Sequence, residues 1–177
     1  MVALGLRRPA GRARLMDVPA LERGGSEVLS MQEISDRLEI QELLIRYSHA
    51  VDTADWDAFE QVFTDDAVID YTEMGGPRGG VKETRAFLES TMPTFASYQH
   101  MLGNTVLELE GDTARARTIC FNPMALNRGE SEPHIFFCGL WYRDVLVRSA
   151  AGWRIQDRYE ERSYIYNMPP DLLAATT

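Results

Sequence analysis

Histidine and cysteine are scarce in this chain, three of the first and two of the second among 177 residues. None of the histidines falls at a metal-ligand spacing such as H-x-x-x-H or H-x-x-E-H, so no metal site is expected. Cys120 and Cys138 lie in apolar, strand-like runs and read as buried free thiols, not as a disulfide. Positive charge is short as well. With 18 basic against 27 acidic side chains the net charge is −9, which argues against nucleic acid or an anionic membrane as the main partner. No apolar run approaches the roughly 20 residues that span a bilayer, and the expected location is cytoplasmic. Also missing are a Gly-rich phosphate loop, a G-x-S-x-G elbow, internal repeats and low-complexity stretches.

What is present is a chain 45% hydrophobic, long enough for one domain with a real core and too short for two. The first thirty residues differ in texture, with an arginine pair at Arg7-Arg8, scattered glycines and prolines, and no steady period. No apolar h-region or small-residue cleavage site follows the pair. Residues 1–30 are therefore expected as a disordered basic tail, 31–168 as the folded domain and 169–177 as a C-terminal tail.

Ser30 followed three residues later by Glu33 is a capping-box pattern, and Ile34, Leu38, Leu44, Tyr47 and Val51 then recur at helical spacing as one buried face. Asp55 caps a second short helix, "WDAFEQVF". "DDAVIDY" reads as a strand, "MGGPRGG" as a loop, and "VKETRAFLESTM" as a third helix stopped by Pro93. Two long strand pairs follow, turning at Gly111-Asp112 and around Ser149–Gly152. Helices first and strands after is an α+β pattern. The expectation is a cone-like α+β barrel, a curved antiparallel sheet enclosing a cavity against three N-terminal helices. The outer face of that sheet needs cover, and "HIFFCGLWY" is apolar on both faces, so a homodimer or homotrimer is expected through it.

The first helix ends in "RYSHAVD", which puts a tyrosine, a histidine and a carboxylate within seven residues. "IQELLIRYSHAVDTADWDAFEQVFTDDAVID", the later "HMLGNTVLELEGDTARART" and the closing "YRDVLVRSAAGWRIQDR" together resemble the SnoaL-like branch of the NTF2-like superfamily. Within it the pattern is similar to that of bile acid 7α-dehydratases and scytalone dehydratases. The resemblance implies catalytic roles for Tyr47 and Asp52 on the first helix, Tyr71 after the first strand, and His100 opening a later strand. Where the bile acid enzymes carry a further acid, this chain reads "CFNPM", and Asn122 is the nearest polar group.

Those residue types suit one chemistry. Histidine, with an ordinary pKa near 6.5, exchanges protons at neutral pH, and a carboxylate on its other nitrogen fixes the tautomer. A tyrosine hydroxyl can donate to an enolate oxygen as it forms. A carboxylate at a helix C-terminus opposes the helix dipole by roughly 0.3–1 kcal/mol, which favours a functional Asp52. His49 lies about 200° around the helix from Tyr47 and is expected to face away. His134 is expected at a strand that meets another subunit. Asp65-Asp66 reads as a turn and strand start, and Asp70 as a weaker alternative base. Most of the bulky side chains are core, but Trp56, Phe63, Phe87, Phe121 and Phe136, with Asn122, are the expected lining of the hollow. Their bulk favours a flat hydrophobic ring system over a sugar or nucleotide.

The expected function is a lyase (dehydratase) or isomerase, working without cofactor on a hydrophobic polycyclic or aromatic carbonyl compound. Two alternatives stand beside it. One is a cavity protein that binds a hydrophobic ligand or partner without chemistry. The other is a different enzyme on the same scaffold: a polyketide cyclase, an epoxide hydrolase, or the small subunit of a ring-hydroxylating dioxygenase beside an iron-bearing chain.

Overall fold

The computed structural model describes residues 28–173, so the basic tail, its last three residues apart, lies outside the described residues. Helix α1 (Met31–Asp52) starts where Ser30 Oγ accepts the Glu33 amide, 3.1 Å. That is one half of the capping box. The Glu33 carboxylate takes Arg37 instead, at 2.9 Å, and the reciprocal bond is not made. The buried stripe runs through Asp36, Ile40, Leu43, Leu44, Tyr47 and Val51. Ile34 and Leu38, expected on it, are 38% and 56% exposed. The reason is Asp36: a carboxylate occupies the inward position of the first turns because it accepts from the Trp153 indole, 3.3 Å, and pairs with Arg148, 2.6 Å. An apolar pattern cannot register a polar residue that is buried with partners.

Asp55 caps α2 (Trp56–Glu60) through the Ala58 amide. The chain then turns into β1 (Phe63–Asp70), so the end of "WDAFEQVF" is strand, not helix. The short β2 (Arg78–Gly79) folds back on β1, and α3 (Val81–Thr91) follows; the third helix thus sits inside the strand sequence. Pro93 lies in a single turn after α3. The remaining strands are β3 (Phe95–Tyr98), β4 (Met101–Glu110), β5 (Thr113–Leu126), β6 (His134–Ser149) and β7 (Gly152–Tyr166). Gly111 and Gly152 close the two hairpins at φ of 61° and 91°, which glycine adopts without a Cβ penalty. The expected tail from residue 169 opens with a further helical turn, α4 (Pro170–Leu173), whose Leu172 reaches the cavity.

The strands form one curved, unclosed sheet in the order β2-β1-β7-β6-β5-β3, with β4 also on β5. It is mixed, not wholly antiparallel: β1 runs parallel to β7, pairing Ile69 with Arg158 and Asp70 with Tyr159. Loops of hairpin length cannot make a parallel pair, and here the whole of α3 to β6 serves as the connection. Register shifts in the β6–β7 ladder bend the sheet around α1. Leu43, Leu44, Tyr47 and Val51 then bury themselves against Ala114, Ala116, Leu146, Trp153 and Ile155. Each fully buried side chain of this size stabilises the fold by roughly 1.5–3 kcal/mol. Both cysteines are free and buried, as expected.

Candidate active site

β3 and β4 lie end to end along β5, and the break between them falls at Gln99-His100. There the His100 backbone N–H points at the Asp52 carboxylate, 3.0 Å from Oδ2, and the ring Nδ1 lies 2.6 Å from Oδ1. Asp52 is the last residue of α1, so one carboxylate ties the helix end to the strand break through two hydrogen bonds. These bonds offset the unfavourable helix-end position. A carboxylate only accepts, so Nδ1 is the protonated nitrogen. Nε2 is then an acceptor, and Asn122 Nδ2 donates to it at 3.0 Å. The other amide atom, Asn122 Oδ1, is buried without a partner. Rotating the amide by half a turn would offer that oxygen to an imidazolium instead.

Behind this face lies a cavity of about 300 Å³. Tyr47, Tyr71, His100, Asn122 and Glu160 are its polar points, and Phe87, Met92, Phe95, Phe136 and Leu140 supply apolar wall. The Tyr47 and Tyr71 hydroxyls are hydrogen-bonded at 2.5 Å. Burial pushes Tyr47 up to about 12 and Tyr71 well above its ordinary value. Both phenols therefore keep their protons at neutral pH and remain donors. Burial pushes Cys120 and Cys138 up to about 12 as well, which leaves them inert thiols.

Of the residues expected at the site, the structure brings together Asp52, His100, Tyr47, Tyr71, Asn122, Phe87 and Phe136. Three aromatic residues are elsewhere. Trp56 stacks edge-on against Phe59 beside the core, at 6.3 Å. Phe63 packs edge-on against Tyr47 at 6.0 Å, in the core and not at the cavity wall. Phe121 follows Cys120 on β5, so period-two alternation turns it to the outer face, where it stacks on Phe137. His49 is exposed, as its helical angle implies. His134 Nε2 is hydrogen-bonded to the Asn167 carbonyl. Asp70 Oδ1 accepts the Thr72 amide and hydroxyl, and so caps a turn. Asp65 and Asp66 are exposed.

Two features were not anticipated. Arg158 grips Asp144 with a two-pronged ion pair, 2.7 and 2.8 Å, both side chains fully buried, and its guanidinium lies 3.8 Å over the Tyr47 ring. Glu160 stands two residues further along β7 and also faces inward. Trp153 and Ile155 set the inward parity of β7, and a register shift before Asp157 reverses it. Alternation read straight through the strand would put both charges outside.

Among the described residues no His, Cys, Asp or Glu cluster could hold a metal, and no helix is long and apolar enough to cross a membrane. A Mycobacterium tuberculosis protein, Rv2910c, and its Mycobacterium bovis counterpart are each 46% identical over 137 residues, 77% of this chain and 92% of their own length. A candidate aromatic ring hydroxylase of Novosphingobium aromaticivorans superposes with a TM-score of 0.70 at 29% identity, covering 81% of this chain and 98% of that one. A candidate scytalone dehydratase of the same species gives 0.67 at 15% identity, over 77% and 89%. The type 3 hexachlorocyclohexane dehydrochlorinase LinA of Novosphingobium barchaimii gives 0.66 at 16%, over 77% and 92%. Residues 32–159 match the family model of the SnoaL-like domain. The chain belongs to the SnoaL-like family.

Proposed function

We propose that this protein is a cofactor-independent lyase acting on a hydrophobic aromatic or polycyclic carbonyl compound. One observation carries the reading: His100 is held by Asp52 through its ring and its backbone, with Nε2 turned to an apolar cavity. A substrate entering the cavity displaces the Asn122 amide from Nε2. The freed nitrogen takes the proton next to the substrate carbonyl. Asp52 stabilises the imidazolium that results, and a Tyr47 or Tyr71 hydroxyl donates to the enolate oxygen. The electron pair then expels a hydroxide or other leaving group at the neighbouring carbon, which departs with the proton from His100. The likeness to a candidate dehydratase and to a dehydrochlorinase supports elimination over isomerisation.

The test is a mass-spectrometric screen of the protein against hydroxylated steroid and polyketide carbonyls. A lyase yields a product lighter by one water, and an isomerase leaves the mass unchanged. His100→Ala is expected to abolish turnover with its circular dichroism spectrum and melting transition intact. Turnover that survives this change would overturn the assignment of the base.

A further inference from the structure

Glu160 has no part in the reaction above, yet it lines the same cavity and is only 7% exposed. Its carboxyl makes no hydrogen bond or ion pair with any described residue. The neighbouring cation is already spent. Arg158 turns Nε and Nη2 to Asp144, and its remaining Nη1 has no acceptor, so Glu160 is not its partner. Arg158 and Asp144 cancel, and Asp70 on β1 adds a further negative charge nearby. Tyr47 from α1, Tyr71 after β1, Tyr142 and Cys138 from β6, and Cys120 from β5 are all kept uncharged by burial. An ionised Glu160 would thus be a buried charge without compensation, and the group holds its proton instead. Burial does push the carboxyl up, to about 8, against the pull of Arg158.

A neutral carboxylic acid carries one O–H donor. No group of the described protein accepts it, and the space it faces is the cavity. β6 and β5 separate Glu160 from the strand break at His100, which is three strand spacings, on the order of 14 Å along the sheet. We propose that Glu160 is a second polar subsite, donating a hydrogen bond to an uncharged ligand oxygen at the end of the cavity away from His100. The ligand class narrows accordingly. It is a flat, two- or three-ring compound with oxygen functions at opposite ends, and the end at Glu160 is a ketone, ether or hydroxyl. Carboxylates and phosphates are refused there, because a buried anion beside Glu160 meets no free cation.

This rests on the cavity being the ligand site and not on the chemistry of His100, and its test needs no turnover. The probes are 2-acetylnaphthalene, with naphthalene and 2-naphthoate as comparisons, in equilibrium dialysis against the full chain from about pH 6 to about pH 9. The ketone is expected to bind about tenfold tighter than the hydrocarbon at the acid end, the worth of one buried hydrogen bond. That advantage fades above about pH 8 as the donor ionises, and the naphthoate binds worse than the hydrocarbon throughout. Glu160→Gln keeps a donor, so its ketone advantage persists across the range. Glu160→Leu removes the advantage at every pH. His100 and Asp52 are present in all three proteins and cannot produce the difference. Equal affinity for ketone and hydrocarbon in the unaltered chain would overturn the proposal, as would a pH-dependent advantage that survives in Glu160→Gln. A ketone advantage retained in an inactive His100→Ala protein would separate this subsite from the fate of the lyase reading.

Discussion

Two carboxylates of this one domain, each held by a nitrogen donor, do opposite work. Asp144 and Arg158 lie on neighbouring strands, both fully buried, locked by two parallel hydrogen bonds. Asp52 and His100 meet at a helix end and a strand break, 23% and 8% exposed, beside a cavity. The first pair carries a permanent cation, because a guanidinium does not give up its proton. The second carries an imidazole, whose Nδ1 donates to Asp52 while Nε2 accepts from Asn122. Burial on rigid strands makes a charge structural, whereas placement at an interruption of the ladder turns His100 Nε2 towards Asn122 and the cavity.

The comparison breaks hardest at the structural pair. Asp144→Asn leaves Arg158 buried without its counter-charge, and about 3–5 kcal/mol of stability should be lost in urea unfolding. Replacing both members with leucine and methionine should recover most of it, since two apolar side chains leave no orphaned charge. Asp52→Asn should act on rate instead. Turnover is expected to fall by about 10³–10⁴-fold through loss of the tautomer lock, with only about 1–2 kcal/mol of stability lost, because the amide oxygen still accepts the His100 N–H. Similar losses of stability in the two variants would erase the distinction.

Glu160 sharpens it further. Its folded value is raised above the unfolded one, from 4.5 to about 8, so the native state holds a proton that the unfolded state has released. Its contribution is therefore fully present below about pH 4.5 and is lost as pH rises towards 8. Glu160→Gln removes that dependence. Thermal melts should show the variant gaining on the parent as pH rises, by on the order of 5 kcal/mol above pH 8. His49→Ala should change stability by less than about 0.5 kcal/mol and turnover not at all, since the ring is exposed on the far side of α1.

The dyad was legible because its parts have local signatures: a carboxylate where a helix dipole disfavours one, a histidine at a strand start, and a familiar order of motifs. Element order gave the α+β class and the curved sheet. The parallel β1–β7 pair was not legible, because hairpin turns announce only antiparallel neighbours. Nor was the inward placement of Arg158 and Glu160, since a register shift leaves no mark on composition. Trp56, Phe63 and Phe121 show the converse. Hydrophobic bulk identifies a residue that is buried somewhere, and only strand parity decides whether core, cavity or outer face receives it.

The parallel pairing of β1 with β7 also governs when this protein can fold. Ile69 on β1 finds its partner in Arg158, near the end of the chain, and the floor beneath α1 is completed by Trp153 and Ile155. A ribosome therefore releases α1, α2 and β1, which touch one another through Tyr47, Phe59 and Phe63, long before β7 exists for them to pack against. Contacts so distant in sequence make folding slow, and a chain waiting for its last strand keeps β1 as an open edge. Truncation before Gly152 should yield an insoluble fragment, not a smaller domain.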